Sequence, residues 1–428
     1  MKNIPIFQAR DDCLSVIDAR YYQDLLYRTI KIGTELEFAL PKGVLREDFQ
    51  PRIEAFMEPS GDMNQLGRLG VYKVINEHCG VEVLIIGRHP HWESLVDQYS
   101  QIIYTLLEEN VRMRPTCGFH FHLLQVGASE SIPEIILANL WNIFRLFAPG
   151  LKFLTSGGGK RDSLCRRRQH NAHQEFIKLC PTRHHMREIQ AALKASMDVP
   201  EHQNFFNLEH IAFTDEGEIG TMHMELRFPD GDLCPVSITA KTFLFLTMLL
   251  KAVEISKFGL LDVEKDPSWE KNVELLDHIS NNDGRLAASD TADITDKMLE
   301  EYRENGRALL RFLKSVFLIF DNPAEVILKE LVEMPVSLRR ISGRDWLEID
   351  SELANMVAPL HTPDEIDHEL LKIIELSLLA EEKNEEIWLT KVAEQLQTNR
   401  PGIIQRLQFL INRDPVWSEE IGSMVFLK

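Results

Sequence analysis

From residue 30 to about 250 the chain switches between two hydrophobic rhythms. Segments 30–40, 81–87, 117–124, 205–213 and 222–228 place apolar side chains at every second position, the period of a strand with one buried face. Segments 92–109 and 133–147 repeat them at three and four positions and read as amphipathic helices. A long apolar helix is expected over 237–254. Beyond 250 the strand rhythm stops, and 295–318, 323–332, 365–381 and 387–397 all carry the helical spacing. This order predicts an α+β domain over 1–255 followed by an all-α region over 256–428. Polar or Gly-rich connectors are expected at 155–163 and 281–289. Near the end, residues 387–410 form two apolar-periodic segments around Thr398-Asn399-Arg400-Pro401-Gly402, a helix-turn-helix-like layout. Its second helix offers only Arg406 and, just beyond, Arg413, so packing or protein contact is expected there rather than DNA reading.

Charge sharpens the division. The 428 residues hold 47 Lys+Arg and 66 Asp+Glu, a formal net charge of -19. Residues 1–250 carry 26 basic and 31 acidic side chains, whereas 251–428 carry 21 and 35. Most of the excess therefore lies in the helical half. Such a field repels nucleic-acid backbones and anionic bilayers, so neither is expected as a main partner, while a local pocket for a small anion remains compatible. The amino terminus shows no basic stretch followed by an apolar one, and the apolar run 243–250 falls short of the roughly 20 residues that span a bilayer. Cys13, Cys79, Cys117, Cys165, Cys180 and Cys234 are scattered without a CxxC pair, which argues against a disulfide framework or a zinc ribbon. A cytoplasmic protein with reduced thiols is expected.

Candidate chemistry lies on three of the strand-like segments. Glu35 and Glu37 share one face, opposite Leu36 and Phe38. Two neighbouring carboxylates repel unless a cation lies between them, so a divalent-metal site and a solvated strand face are the two readings. His120 and His122 share a face opposite Phe119, Phe121 and Leu123, where they could supply a metal ligand and a donor to phosphate or carboxylate, or serve as buried structural histidines. His223, Glu225 and Arg227 face away from Met222, Met224, Leu226 and Phe228, with a cross-strand ion pair as the plainer reading. Three strands repeating one layout point to a common site. Carboxylates with one or two imidazoles and no cysteine pair favour Mg²⁺ or Mn²⁺ over zinc, and such ions usually accompany phosphate. Residues 155–173 add Lys160, Arg161, Arg166, Arg167 and Arg168 beside Gly157, Gly158 and Gly159, either a phosphate or carboxylate pocket or a solvated basic loop. The stretch is not a P-loop, because Arg161 follows Lys160 where Ser or Thr is required.

The ordered set Gly33-x-Glu35-x-Glu37, Cys117-Gly118-x-His120-x-His122, the Arg-rich stretch up to Asn171, Phe206-Asn207-Leu208 and Glu225-x-Arg227 resembles the amidoligase family. That family belongs to the glutamine synthetase and glutamate-cysteine ligase superfamily. Residues 224–232, MELRFPDGD, with the apolar helix after them, look like the ExRxPD segment of glutamine synthetase and its following helix. The resemblance covers about residues 28–255, and departs after Pro229, where Asp-Gly-Asp-Leu replaces the more frequent Gly-Thr-Leu-Asp.

The resemblance implies a glutamine synthetase-like antiparallel sheet with flanking helices, whose concave face holds ATP with Mg²⁺ or Mn²⁺. By it, Glu35, Glu37, His120 and Glu225 are metal ligands, and Glu82 takes the intermediate acidic strand position. His122 contacts nucleotide or substrate, and Arg227 the transferred phosphoryl group or substrate carboxylate. Arg168 assists in catalysis, and Lys160, Arg166, Arg167, Asn171 and Asn207 contact the nucleotide. The implied reaction is ATP-dependent ligation of a carboxylate to an amine through an acyl phosphate. The product is an amide or isopeptide bond on a peptide, amino acid or protein. A phosphotransferase on the same fold and a catalytically degraded adaptor are the alternatives. The acidic helical region is expected to cap the site, to mediate a homo-oligomer contact or to recruit a basic or amine-bearing partner.

Overall fold

The computed structural model describes residues 3–5, 30–54, 69–77, 80–87, 92–114, 117–125, 134–157, 206–213, 219–227, 229–256, 259–263, 266–281, 296–317 and 323–357. Its strands are β1 (Asn3–Pro5), β2 (Ile30–Phe38), β3 (Leu69–Glu77), β4 (Gly80–Gly87), β5 (Phe119–Gln125), β6 (Phe206–Phe213), β7 (Ile219–Leu226) and β8 (Leu260–Asp262). The helices are α1 (Arg46–Glu54), α2 (Trp92–Glu108), α3 (Glu134–Leu154), α4 (Pro235–Ser256), α5 (Trp269–Asn281), α6 (Asp296–Phe317), α7 (Pro323–Glu333), α8 (Val336–Ile341) and α9 (Trp346–Val357). All five expected strands and the expected helices within these residues are present, with ends shifted by a few positions except at the C-terminal end of α3, which runs on to Leu154. The segments 365–381, 387–410 and most of both expected connectors lie outside the described residues.

Six strands form one antiparallel sheet in the order β3-β4-β2-β5-β7-β6. Because side chains alternate across a strand, one face collects Leu36, Phe38, Val83, Ile85, Phe119, Phe121, Leu123 and Leu226, all buried. That face packs on α2 and α4: the Phe121 and Phe245 rings lie 4.7 Å apart, and the Thr34 and Tyr99 hydroxyls meet at 3.0 Å. Burying each such aromatic is worth about 1.5–3 kcal/mol, so the apolar face is what holds the sheet on its helices. The opposite face carries the polar side chains. β3, an edge strand not expected from alternation, pairs with β4 through a register irregularity between Val71 and Lys73. β1 and β8 form a separate parallel pair.

α4 is the central helix, buried from Pro235 to Ile255 because α2, α3 and α7 pack around it and its Phe245 meets the sheet. By length and composition it could cross a bilayer, yet its most apolar window is wholly inside the fold. Its ionic groups are neutralised in place. Lys241 Nζ donates to Asp232 at 2.5 Å, with both side chains inaccessible, and Lys251 pairs with Glu254 beneath the Phe312 ring. An unpaired charge at such a depth would cost several kcal/mol.

α3 continues past Pro149, beyond its expected end. Proline supplies no backbone donor and disturbs the local ladder, and two asparagines repair it. The Gly150 N–H donates to Asn305 Oδ1 at 2.8 Å, while Leu146 O accepts from Asn272 and Asn305. α6 crosses here so closely that a Cβ on Gly150 would lie 2.3 Å from the Gly306 nitrogen. Buried residues from the sheet, α4 and α5–α9 belong to one continuous core. On the outside of α6, Arg307 gathers Glu300, Glu304 and Glu333, so part of the acidity of this half is compensated locally.

Candidate metal centre

The polar face of the sheet is assembled by register. Glu37 stands opposite Glu82, Glu35 opposite His120, Gly33 opposite His122, His122 opposite Glu225, and Glu225 opposite Asn207. Cross-strand neighbours on one face lie about 5 Å apart, so β4, β2, β5 and β7 deliver their side chains to one place. Gly33 contributes no side chain in front of His122.

The side chains converge. His120 Nδ1 lies 2.5 Å from Glu35 Oε2 and 3.1 Å from Glu225 Oε1, and its Nε2 lies 3.4 Å from Glu37 Oε1. His122 Nε2 lies 3.1 Å from Glu35 Oε1 and 4.0 Å from Glu225 Oε1. Arg227 Nη1 donates to both Glu225 oxygens, at 2.6 and 2.8 Å. The Gly118 N–H donates to Glu37 Oε2 at 2.6 Å, a contact that the sequence motif contained but did not single out. Glu37, Glu82, His120, His122 and Glu225 are all buried, and Glu35 nearly so.

Among the described residues two overlapping groups could hold a cation: Glu35, His120, His122 and Glu225, and Glu37, Glu82 and His120. Within each group the ligand atoms lie within 4.8 Å of one another. Opposite oxygens around an octahedral Mg²⁺ are about 4.2 Å apart, so the donors and their spacing fit a hard dication. The fit has a second support: His120 Nε2 is buried and has no hydrogen-bond partner among the described residues. His120 belongs to both groups, and a neutral imidazole has one lone pair. A cation bound through Nδ1 leaves an N–H on Nε2 facing Glu37, whereas one bound through Nε2 leaves an N–H on Nδ1 facing Glu35. Either way a carboxylate orients the ligating ring.

Four carboxylates against one guanidinium give the cluster a formal charge of -3 with both imidazoles neutral. Burial pushes the Glu35 carboxyl up, but hydrogen bonds and charge from His120 and His122 outweigh it and hold it well below the usual carboxylate range. Glu225 is treated alike: burial opposes ionisation, and Arg227 with the two histidines overcomes it. Burial also works against the Arg227 charge, and Glu225 more than restores it. The His122 imidazole, which burial would lower, is raised by Glu35 and Glu225. Protons on imidazole and a dication held at the cluster would thus compete to neutralise the same carboxylates.

Of the residues singled out from the sequence, Glu35, Glu37, Glu82, His120, His122, Glu225 and Arg227 are brought together, and Asn207 occupies the register position beside Glu225. Lys160, Arg166, Arg167, Arg168 and Asn171 lie outside the described residues. Surface cavities of about 280 and 330 Å³ open on the helical half, and no cluster residue lines either one.

No family model matches the chain, and no curated protein does. Among solved structures, one from the crystal structure of the complex between the prokaryotic ubiquitin-like protein Pup and its ligase PafA aligns over 79% of this chain and 71% of that chain, at 12% identity and a TM-score of 0.33. A likeness at that TM-score carries no argument about fold or function.

Proposed function

We propose that the protein is an ATP-dependent carboxylate–amine ligase that forms an amide or isopeptide bond, with ATP bound through Mg²⁺ or Mn²⁺ on the polar face of the sheet. The observation behind this reading is the convergence of Glu35, Glu37, Glu82, His120, His122 and Glu225 into two overlapping cation groups, with Arg227 at their edge. The order of the motifs that carry these residues, which resembles the amidoligases, agrees with it. The retention of these carboxylates and imidazoles together favours this reading over a degraded adaptor.

Joining a carboxylate to an amine in water is uphill, so the carboxylate must be activated. Its oxygen takes the γ-phosphoryl group of ATP, ADP leaves, the amine nitrogen attacks the acyl carbon, and phosphate departs. Dications at the cluster would neutralise phosphate oxygens as the γ-phosphoryl group moves. Glu35, Glu37, Glu82, Glu225 and His120 would hold them, and His122 would contact nucleotide or substrate. Arg227 keeps Nη1 on Glu225, and its buried Nε has no hydrogen-bond partner among the described residues, leaving a donor for a phosphoryl or carboxylate oxygen. Asn207, Lys160, Arg166, Arg167, Arg168 and Asn171 are proposed further nucleotide contacts. The catalytic share of the protein is positioning and charge neutralisation.

Mass spectrometry of reactions containing Mg-ATP and pools of acids and amines is the test. A condensation product with amine-dependent release of ADP and phosphate is expected, and it should vanish in the Glu35→Ala, Glu225→Ala double variant. Turnover surviving that double change rules out the shared cluster, and a stable phosphorylated guanidinium product instead identifies a phosphotransferase.

A further inference from the structure

We infer that Asp350, in the helical half, is a positioning residue for the cation-binding carboxylates, acting through a strut formed by residues 229–234. What the carboxylates do rests on the ligase reading; the strut stands on contacts of its own. Asp350 is buried, and its Oδ1 accepts from the Val236 N–H at 2.9 Å and the Cys234 thiol at 3.2 Å, while Oδ2 accepts from the Tyr104 hydroxyl at 2.9 Å. It therefore caps the first turn of α4 from a distant part of the chain. Asp232 braces the start of the same helix locally, accepting from Cys234 N at 2.8 Å, Ser237 Oγ at 2.7 Å and Lys241 Nζ at 2.5 Å. Two carboxylates thus fix the junction between the strut and α4.

The other end of the strut is tied to the site. Phe119 N donates to Pro229 O at 3.2 Å, Gly231 N donates to Cys117 O at 3.1 Å, and Asp230 stands opposite Gly118. Gly118 is bonded in turn to Glu37: Glu37 N donates to Gly118 O at 3.1 Å, and Gly118 N to Glu37 Oε2 at 2.6 Å. One Glu37 oxygen is pinned by that amide, and the other is aimed at His120 Nε2. The strut therefore sets the direction of a cation-group carboxylate.

A second link from the helical half reaches the same strut. The Ser337 and Ser156 hydroxyls meet at 2.6 Å, and Ser337 N donates to Ser156 O at 3.3 Å. The next residue, Gly157, donates its N–H to Asp230 Oδ2 at 3.1 Å. A Cβ at Gly157 would lie 2.2 Å from Gly231 O, so only glycine permits this approach. Asp350 and Ser337 thus hold the strut at two points, and the strut holds Gly118 against Glu37. These contacts give the helical half a role in the site although none of its described residues belongs to either cation group.

The test compares the full chain with Asp350→Ala, Asp350→Asn and Ser337→Ala, using Mn²⁺ titration by electron paramagnetic resonance and hydrogen exchange of peptides spanning 117–119. Loss of groups that orient ligands weakens metal binding about 10- to 100-fold, and Asp350→Ala should fall in that range for the group containing Glu37. Exchange at Gly118 and Phe119 should accelerate in parallel. Asp350→Asn keeps the acceptor for Val236 and Cys234, so it should stay within about threefold of the parent. A purely structural role for Asp350 would lower the melting temperature while leaving Mn²⁺ binding by the folded fraction intact, and that result overturns the inference. Unchanged exchange at 117–119 in Asp350→Ala also overturns it. If that variant does not fold, Ser337→Ala decides the matter: faster exchange at 117–119 supports the strut, and parental exchange removes it. A parent that binds no Mn²⁺ would end the metal reading, while the exchange measurements would still decide whether the strut exists.

Discussion

Replacing Arg227 with glutamine should expose the electrostatics of the cluster most directly. In the parent the guanidinium, 13% exposed, meets both oxygens of Glu225, 3% exposed, at 2.6 and 2.8 Å. Removing one partner of a buried pair leaves the other charge uncompensated, at a cost of about 3–5 kcal/mol. Here the remaining charge has Glu35 and Glu37 nearby as well, which favours the upper part of that range. For domains of 150–250 residues each kcal/mol moves the melting midpoint by about 2–4 °C, so a drop on the order of 10 °C is expected in EDTA. Mn²⁺ at 100 times its dissociation constant adds about 2.7 kcal/mol to the parent. It should add more to the variant, because the dication supplies the charge that Arg227 gave, and the gap between the two proteins should narrow. Thermal melts followed by circular dichroism, with EDTA and with saturating Mn²⁺, measure both quantities. A variant melting within about 2 °C of the parent in EDTA refutes the buried pair. A gap of equal size in both conditions refutes the placement of the cation beside Glu225.

The pH dependence has two parts of opposite sign. The Glu35 and Glu225 carboxyls are held below their usual range, so their contribution is full above the ordinary glutamate value near 4.3 and is lost progressively as pH falls from there through the depressed values; urea unfolding in EDTA should show stability falling from about pH 4 downward for these groups. His122 is raised, so its contribution is full below the ordinary histidine value near 6.5 and is lost as pH rises through the raised one. Urea unfolding in EDTA should show falling stability across that alkaline step, and Mn²⁺ should bind more tightly there with measurable proton release. Stability that rises with pH across the step contradicts the assignment. At the helix crossing, Gly150→Ala sets a Cβ 2.3 Å from the Gly306 nitrogen, whereas Gly306→Ala meets Val332 methyls at 3.1 and 3.3 Å. The first must move backbone and should cost about 3 kcal/mol or more in urea unfolding, and the second about 1 kcal/mol, since side chains can yield.

Much of the candidate site was legible because strand parity is a local property. Glu35 with Glu37, His120 with His122, and Glu225 with Arg227 sit two apart between bulky apolar neighbours, and the structure buries Leu36, Phe38, Phe119, Phe121 and Leu226 on the other face. Glu82 was harder to read, since one carboxylate in an otherwise apolar segment gives no periodic signal; its register opposite Glu37 reveals it. Gly118 was part of a motif, but its amide contact with Glu37 depends on a bond between residues 81 positions apart. α3 was expected to stop before Pro149, and it continues because Asn272 and Asn305, from two other helices, satisfy groups that local structure leaves open.

By itself the sequence determined which side chains share a face, where helices replace strands, and that the acidic excess falls in the helical half. Each follows from periods of 2 and 3.6 residues or from composition, which neighbouring residues fix without reference to the rest of the chain. Tertiary structure alone decided that Glu35 pairs with His120 rather than a residue one position away, and a slip of one residue would turn every ligand to the apolar side. It also decided that α9 delivers Asp350 to the first turn of α4, and that Asp230 stands against Gly118. Such pairings depend on which surfaces exclude water together across more than 100 residues of chain. An amphipathic pattern shows that a face must be buried and does not say against what.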